Sequence, residues 1–325
     1  MQQRPPVERS SNREGVALTE SAAISSELPL VTLDEGNRLA AALVAQLAER
    51  ENVRVLLIKG LSLEYHGLRT GRESADVDFL VEPGQLPALI AKLLHWGWQE
   101  RPTTLLSQRF TTHSRTLLQP GWPNDLDLHA EFPGLLAGSA VAFEVLWRDR
   151  VRASIAGQPC WIPKRDASMV VWALHSLRGP VSSAREQLEL TTLKSEIATL
   201  GAMQRQSLAD TAAELGASEI LQPHLDPSGT WLQPSGAVDT DAWGSWKRKL
   251  QGGAPTPSFA AWRQILVEAR PAERPHLVFR AVWPSRADLL VSLPEIRDTA
   301  WGRGSARIAR WGRGIRRVAV RGGES

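Results

Sequence analysis

From Thr32 onward, apolar positions recur at helical spacing: Leu39, Ala40, Leu43, Val44 and Leu47 fall on one face, with Asp34 placed to cap it. The period then changes. Residues 53–58 are a β-branched and leucine run, the pattern of a buried strand. Lys59-Gly60 interrupts it, and a short helix at 61–67 closes on a glycine. A polar loop over 69–74 leads into 75–81, where polar and apolar residues alternate with period two. Pro83 opens a helix with an apolar stripe of Leu86, Leu89, Ile90, Leu93 and Leu94, ended by Gly97. Residues 103–119 read as one or two strands turning near His113-Ser114, 120–124 as a turn, and 125–132 as another alternating strand.

Beyond Pro163 the pattern turns helical. Helices are expected at 166–177, 184–200 and 203–215, and again at 259–270 and 286–320. Residues 222–258, rich in Pro, Gly, Ser and Asp, read as a long loop. The expected organisation is a flexible leader at 1–28, an α+β domain at 29–162 with a mixed sheet and flanking helices, and a mainly helical C-terminal region at 163–325.

Composition narrows the function classes. The chain has 325 residues, 42% hydrophobic and 22% charged, which excludes a wholly disordered chain and suits about two domains. A formal charge of +3 names no nucleic-acid partner by itself. The single cysteine, Cys160, excludes a disulfide framework and a multi-cysteine zinc site, and its apolar setting reads as packing. The first 28 residues lack the apolar stretch of a secretory signal, and no apolar run approaches the ~20 residues of a membrane span, so a cytoplasmic protein is expected. Thirteen tryptophans beside one tyrosine suit core edges and an arginine-favouring genome more than ligand stacking.

The informative chemistry is Asp76-Val77-Asp78. Alternate strand residues share a face, so both carboxylates project together. Two such anions repel unless a cation neutralises them, and hard divalent cations prefer carboxylate oxygens. Asp127, in the later alternating strand, is the candidate third carboxylate of a two-metal site for in-line phosphoryl displacement. Asp125 and His129 share its parity, so parity does not single it out. Lys59-Gly60, at a strand end before a helix, suits close approach of a phosphate.

These residues carry a resemblance. Residues 57–63, then Arg72, then Asp76-Val77-Asp78-Phe79-Leu80-Val81, and later Leu126-Asp127-Leu128-His129, resemble the uncharacterised nucleotidyltransferases of the DNA-polymerase-β-type superfamily. In those the strand ends in Lys-Gly, an Arg stands four residues before Asp-x-Asp, and an Asp-Leu-His strand brings the third carboxylate. The match covers residues 50–132 well. It implies a nucleotidyltransferase fold for the 29–162 domain, Mg²⁺ or Mn²⁺ as cofactor, and a nucleoside triphosphate such as ATP as donor. Asp76, Asp78 and Asp127 would be the catalytic metal ligands, with Lys59, Gly60 and Arg72 binding the nucleotide. Well-studied superfamily members carry Gly-Ser where this chain has Lys59-Gly60, so phosphate binding must be rebuilt with Lys59 or Arg72. A catalytically degenerate binding protein and a tRNA-modifying toxin-like enzyme are the alternatives.

The remaining candidates are weaker. His129 reads as a satisfied structural histidine or one that orients the cluster. His175, among Val171, Trp172 and Leu174, reads as packed, and Glu131 as a solvated strand end. The stretch from Arg303 to Arg321 holds seven arginines interleaved with tryptophan, a solvated basic tail or a surface for nucleic acid or anionic lipid. Phosphate-loop and nucleophile-elbow motifs are absent, and two carboxylates on one strand face cannot bracket a glycosidic bond.

Overall fold

The computed structural model describes residues 31–69, 74–110, 113–178, 184–236, 238–252 and 259–321. The leader expected at 1–28 and Arg72 lie outside the described residues. In chain order the elements are α1 (Leu33–Arg50), β1 (Val55–Ile58), α2 (Gly60–Tyr65), β2 (Asp76–Val81), α3 (Leu86–His95), β3 (Gln99–Glu100), α4 (Leu105–Phe110), β4 (Ser114–Leu118) and β5 (Asp125–His129). Then come α5 (Ser139–Arg148), β6 (Val151–Ile155), β7 (Gln158–Ile162), α6 (Arg165–Ser176), α7 (Ala184–Ala198), α8 (Ala202–Glu214) and α9 (Ser218–Leu225). The last five are α10 (Thr240–Gly252), α11 (Phe259–Glu268), α12 (Arg274–Val282), α13 (Arg286–Ser292) and α14 (Ala300–Arg321).

The main sheet has five strands in the order β1-β2-β5-β4-β3. β2 and β5 run parallel, and the other neighbours are antiparallel, so the sheet is mixed. Its two faces follow strand parity. One carries Val55, Leu57, Val77, Phe79, Val81, Leu117, Leu126 and Leu128, buried with α1, α3 and the β6–β7 hairpin. The other presents Leu56, Ile58 and Leu80 to a core shared with α5, α6 and the helices beyond. Thr32, not Asp34, caps α1. Its hydroxyl accepts from the Glu35 N–H while the Glu35 carboxylate accepts from the Thr32 N–H, a reciprocal capping box.

α6 is the axis of the helical half. Nine of its residues are buried, and α2, α7, α8 and α9 all pack on it. The Ser62 and Ser168 hydroxyls lie 3.2 Å apart across the seam with α2. At the turn after α8, Gly216 takes φ +69°, and a Cβ there would lie 2.5 Å from the Ala137 nitrogen, so only glycine fits.

Two expectations need correction. Residues 105–110 form helix α4 rather than a strand, because Thr104 caps it: its hydroxyl accepts from the Ser107 N–H at 3.1 Å. The stretch 222–258 is not one long loop. Asp239 accepts from the Asp241 and Ala242 N–H groups and starts α10, whose Trp246 is buried against the main core. The arginine-rich C-terminus is helical as expected, in two pieces, α13 and α14; Arg303 pairs with Asp298 just before α14, and Arg307 donates to the Pro284 carbonyl. Among the described residues no helix is long and apolar enough to cross a membrane.

Candidate active site

Parallel pairing of β2 with β5 sets Asp76 opposite Asp125 and Asp78 opposite Asp127, all on the face that meets the helical half. Asp125 is drawn off into an ion pair with Arg101, so structure separates it from Asp127 where parity could not. Asp78 is 4% exposed, and the Lys59 ammonium and His129 Nε2 both bind its Oδ1, the latter at 2.9 Å. His129, also buried, places the same Nε2 3.2 Å from Asp127 Oδ2. With carboxylates as both acceptors, that nitrogen carries the hydrogen. Thr116, paired to Asp127 across β4, donates its hydroxyl to Asp127 Oδ1 at 3.2 Å.

Asp76 stands one step aside. Its Oδ1 accepts from the Ser74 hydroxyl at 2.9 Å, and Asn37 holds the Ser74 carbonyl at 2.6 Å. Gly60, Ser74, Asn37, Asp76 and Asp78 line a small cleft between α1, α2 and β2. Lys59 precedes α2 in a left-handed backbone conformation, φ +58° and ψ −144°, which a lysine adopts only under constraint.

Electrostatics divide the carboxylates. Burial pushes the Asp76 carboxyl up, and the neighbouring Asp78 pushes it further. Burial acts the same way on Asp78, but Lys59 and His129 outweigh it and hold that carboxyl below its usual range. Asp127 is likewise held well down against burial, chiefly by His129. Burial works to lower the His129 pKa, but Asp127 and Asp78 outweigh it and raise it. Asp76 is thus the acid left short of positive charge.

That donor set fits a divalent cation. Asp78, Asp127 and His129 bring oxygen and nitrogen atoms within 4.8 Å of one another, with the carboxylate oxygens as the ligands and His129 as their donor, and Asp76 adds a further carboxylate on the same strand face as Asp78. Oxygen-dominated sets of this kind suit Mg²⁺ or Mn²⁺.

Lys59, Asp78, Asp127 and His129 therefore converge, with Asp76 and Gly60 alongside. Glu131 does not join them; it borders a separate cavity with Leu80 and Phe132. His175, on α6, has a buried Nδ1, and burial above all, with Lys59 and Arg178, holds its pKa well below the ordinary histidine value. Arg178, just beyond α6, escaped the sequence reading. It is 8% exposed, its guanidinium lies 4.1 Å above the Phe132 ring, and it feels Asp78 and Asp127. The only signal for it was its spacing three residues after His175.

Residues 31–232 match the model of a family described as uncharacterised nucleotidyltransferase. No curated protein matches the chain. Among solved structures, a lincomycin-bound lincosamide antibiotic adenylyltransferase is 15% identical over 49% of this chain and 95% of its own, with a TM-score of 0.33. An antigenic nucleotidyltransferase-like protein from Paracoccidioides brasiliensis is 15% identical over 64% and 97%, with a TM-score of 0.38. A nucleotidyltransferase toxin from Mycobacterium tuberculosis H37Rv is 11% identical over 77% and 93%, with a TM-score of 0.35.

Proposed function

The chain belongs to the uncharacterised nucleotidyltransferase family, and from that premise we propose that it transfers a nucleoside monophosphate from a nucleoside triphosphate to a hydroxyl acceptor. The observation that carries the reading is the apposition of Asp78 and Asp127 on parallel strands beside Asp76. Those three side chains would hold Mg²⁺ or Mn²⁺. Such ions, when bound, stabilise charge on the attacking and leaving oxygens and ease loss of the hydroxyl proton.

The chain's own residues do the rest. Asp127 accepts a hydrogen bond from the acceptor hydroxyl and helps draw off its proton. The acceptor oxygen attacks the α-phosphorus in line, the bond to the β-phosphate oxygen breaks, and pyrophosphate leaves. Lys59 neutralises the β- and γ-phosphates, and Arg72 is assigned the same task from the family pattern. Gly60, without a side chain, lets the triphosphate approach the backbone of the cleft it lines. His129 donates to Asp78 and keeps Asp127 ionised, so it orients the cluster rather than reacting.

The test is incubation of the purified protein with Mg²⁺, each labelled nucleoside triphosphate and cell extract. Pyrophosphate release and label on a small molecule, RNA or protein are expected. Asp76→Ala combined with Asp78→Ala should abolish both; transfer at the wild-type rate refutes the site. Triphosphate binding with no pyrophosphate release under any condition would instead assign a binding role.

A further inference from the structure

Arg178 is placed as no structural arginine needs to be. Its guanidinium is more than nine-tenths buried, yet Nε and Nη2 have no hydrogen-bond partner among the described residues. A buried donor left unpaired is costly, more so when charged. The carboxylates that attract it do not touch it. Asp78 is already bound by Lys59 and His129, and Asp127 by His129 and Thr116. The Phe132 ring supports one face of the guanidinium plane and leaves its donor edge unanswered. Burial outweighs the pull of Asp78 and Asp127 and pushes the Arg178 pKa down to about 10, so the cation is under-compensated where it stands.

His175 stands three residues earlier on the same side of the chain, and its buried Nδ1 also lacks a partner among the described residues. The Phe132 ring beneath Arg178 also packs on His129, with ring centroids 5.9 Å apart. Arg178 therefore stands beside the residue that joins Asp78 to Asp127.

We infer that Arg178, assisted by His175, is a phosphate-binding site beside the His129 that joins Asp78 to Asp127. A guanidinium fork offers paired donors matched to phosphate oxygens, which lysine cannot reproduce. Resting on the nucleotidyl-transfer reading, the phosphate is either the distal part of the donor triphosphate or a phosphate group on the acceptor.

The experiment uses the full chain, with tripolyphosphate and inorganic phosphate as probes in titration calorimetry, and thermal melts alongside. Wild type should bind at least one probe. Arg178→Met should weaken that binding roughly 10- to 100-fold, as loss of a charge-assisted fork predicts. Without ligand it should melt at or above wild type, because it removes an uncompensated buried charge. Arg178→Lys keeps the charge without the fork, so it should fold and bind less tightly. A structural peg predicts the reverse: a lower melting temperature for Arg178→Met and unchanged binding. Wild type binding neither probe, or both variants binding as wild type does, overturns the proposal. Probe displacement by ATP identifies the triphosphate as the source; phosphate binding that persists under saturating ATP identifies the acceptor. Failure of the transfer reading is separate, since it appears as absent pyrophosphate release while probe binding to Arg178 is retained.

Discussion

Removing the Lys59 ammonium is the sharpest perturbation of the carboxylate cluster. Lys59 is 11% exposed and Asp78 4%, so their ion pair is shielded from water. Truncating one partner of a buried pair typically costs about 3–5 kcal/mol, because the other charge is stranded. His129 Nε2 still donates to the same Asp78 oxygen, so Lys59→Met should lose about 3 kcal/mol, the lower end of that range. A second variant separates charge from backbone. Lys59 holds φ +58° and ψ −144°, a conformation costing about 1–3 kcal/mol for a residue with a Cβ. Lys59→Gly relieves it, less about 0.5–1 kcal/mol of added unfolded-chain freedom. Glycine should therefore exceed methionine in stability by up to about 2.5 kcal/mol. Urea unfolding in EDTA measures both. Added Mg²⁺ should then stabilise Lys59→Met more than wild type, since the cation no longer competes with an ammonium for Asp78. Equal stability of Lys59→Met and wild type in EDTA, or a larger Mg²⁺ effect on wild type, refutes the reasoning.

Three further outcomes are expected. Asp76→Asn, which removes the charge that burial and Asp78 disfavour, should unfold in EDTA at equal or higher urea than wild type while losing Mg²⁺-dependent pyrophosphate release. Asp288 accepts from the Leu105 N–H, Arg280 and Ser285, and these outweigh burial and lower its pKa. Its contribution should be fully present above the unfolded pKa of about 3.9 and fade as pH falls through the lower folded value. Melts of Asp288→Asn should thus fall short of wild type at neutral pH, with the deficit narrowing in acid. Asp226 accepts from the Thr230, Trp231 and Leu232 N–H groups at 2.8–2.9 Å. Asp226→Ala should cost about 2–4 kcal/mol in urea unfolding, given about 1–3 kcal/mol per stranded donor and partial rehydration.

What the sequence made legible was whatever local periodicity encodes. Strand parity placed Asp76 and Asp78 together, and Asp127 with His129, because side chains alternate strictly along a strand. The helices of the C-terminal half down to α8 were readable from their apolar spacing. Residues 104–110 misled because threonine, leucine and phenylalanine suit a strand as well, and the Thr104 cap settled the matter. The β6–β7 hairpin had no turn signal to read. Its Ala156-Gly157 turn has φ +47° and +78°, and alanine stands where asparagine or aspartate normally announces such a turn.

The pairing of β2 with β5 was not legible, and the site depends on it. The intervening segment could have returned on either edge of β2, yet only this parallel register sets Asp78 against Asp127 and ties Asp125 to Arg101. The nitrogen donors follow the same logic. Lys59 comes from a strained link, His129 from a strand end and Arg178 from the far end of α6. None lies near the others in sequence: strand pairing brings Lys59 and His129 to the carboxylates, and Arg178 comes from the helical half that packs on that sheet face. The three are not equivalent. Lys59 and His129 both contact Asp78 Oδ1, whereas Arg178 makes no ion pair with a carboxylate among the described residues and keeps unpaired donors. Asp78 and Asp127 already have their partners, so the unanswered donor edge of Arg178 is explained by an anion that arrives from outside.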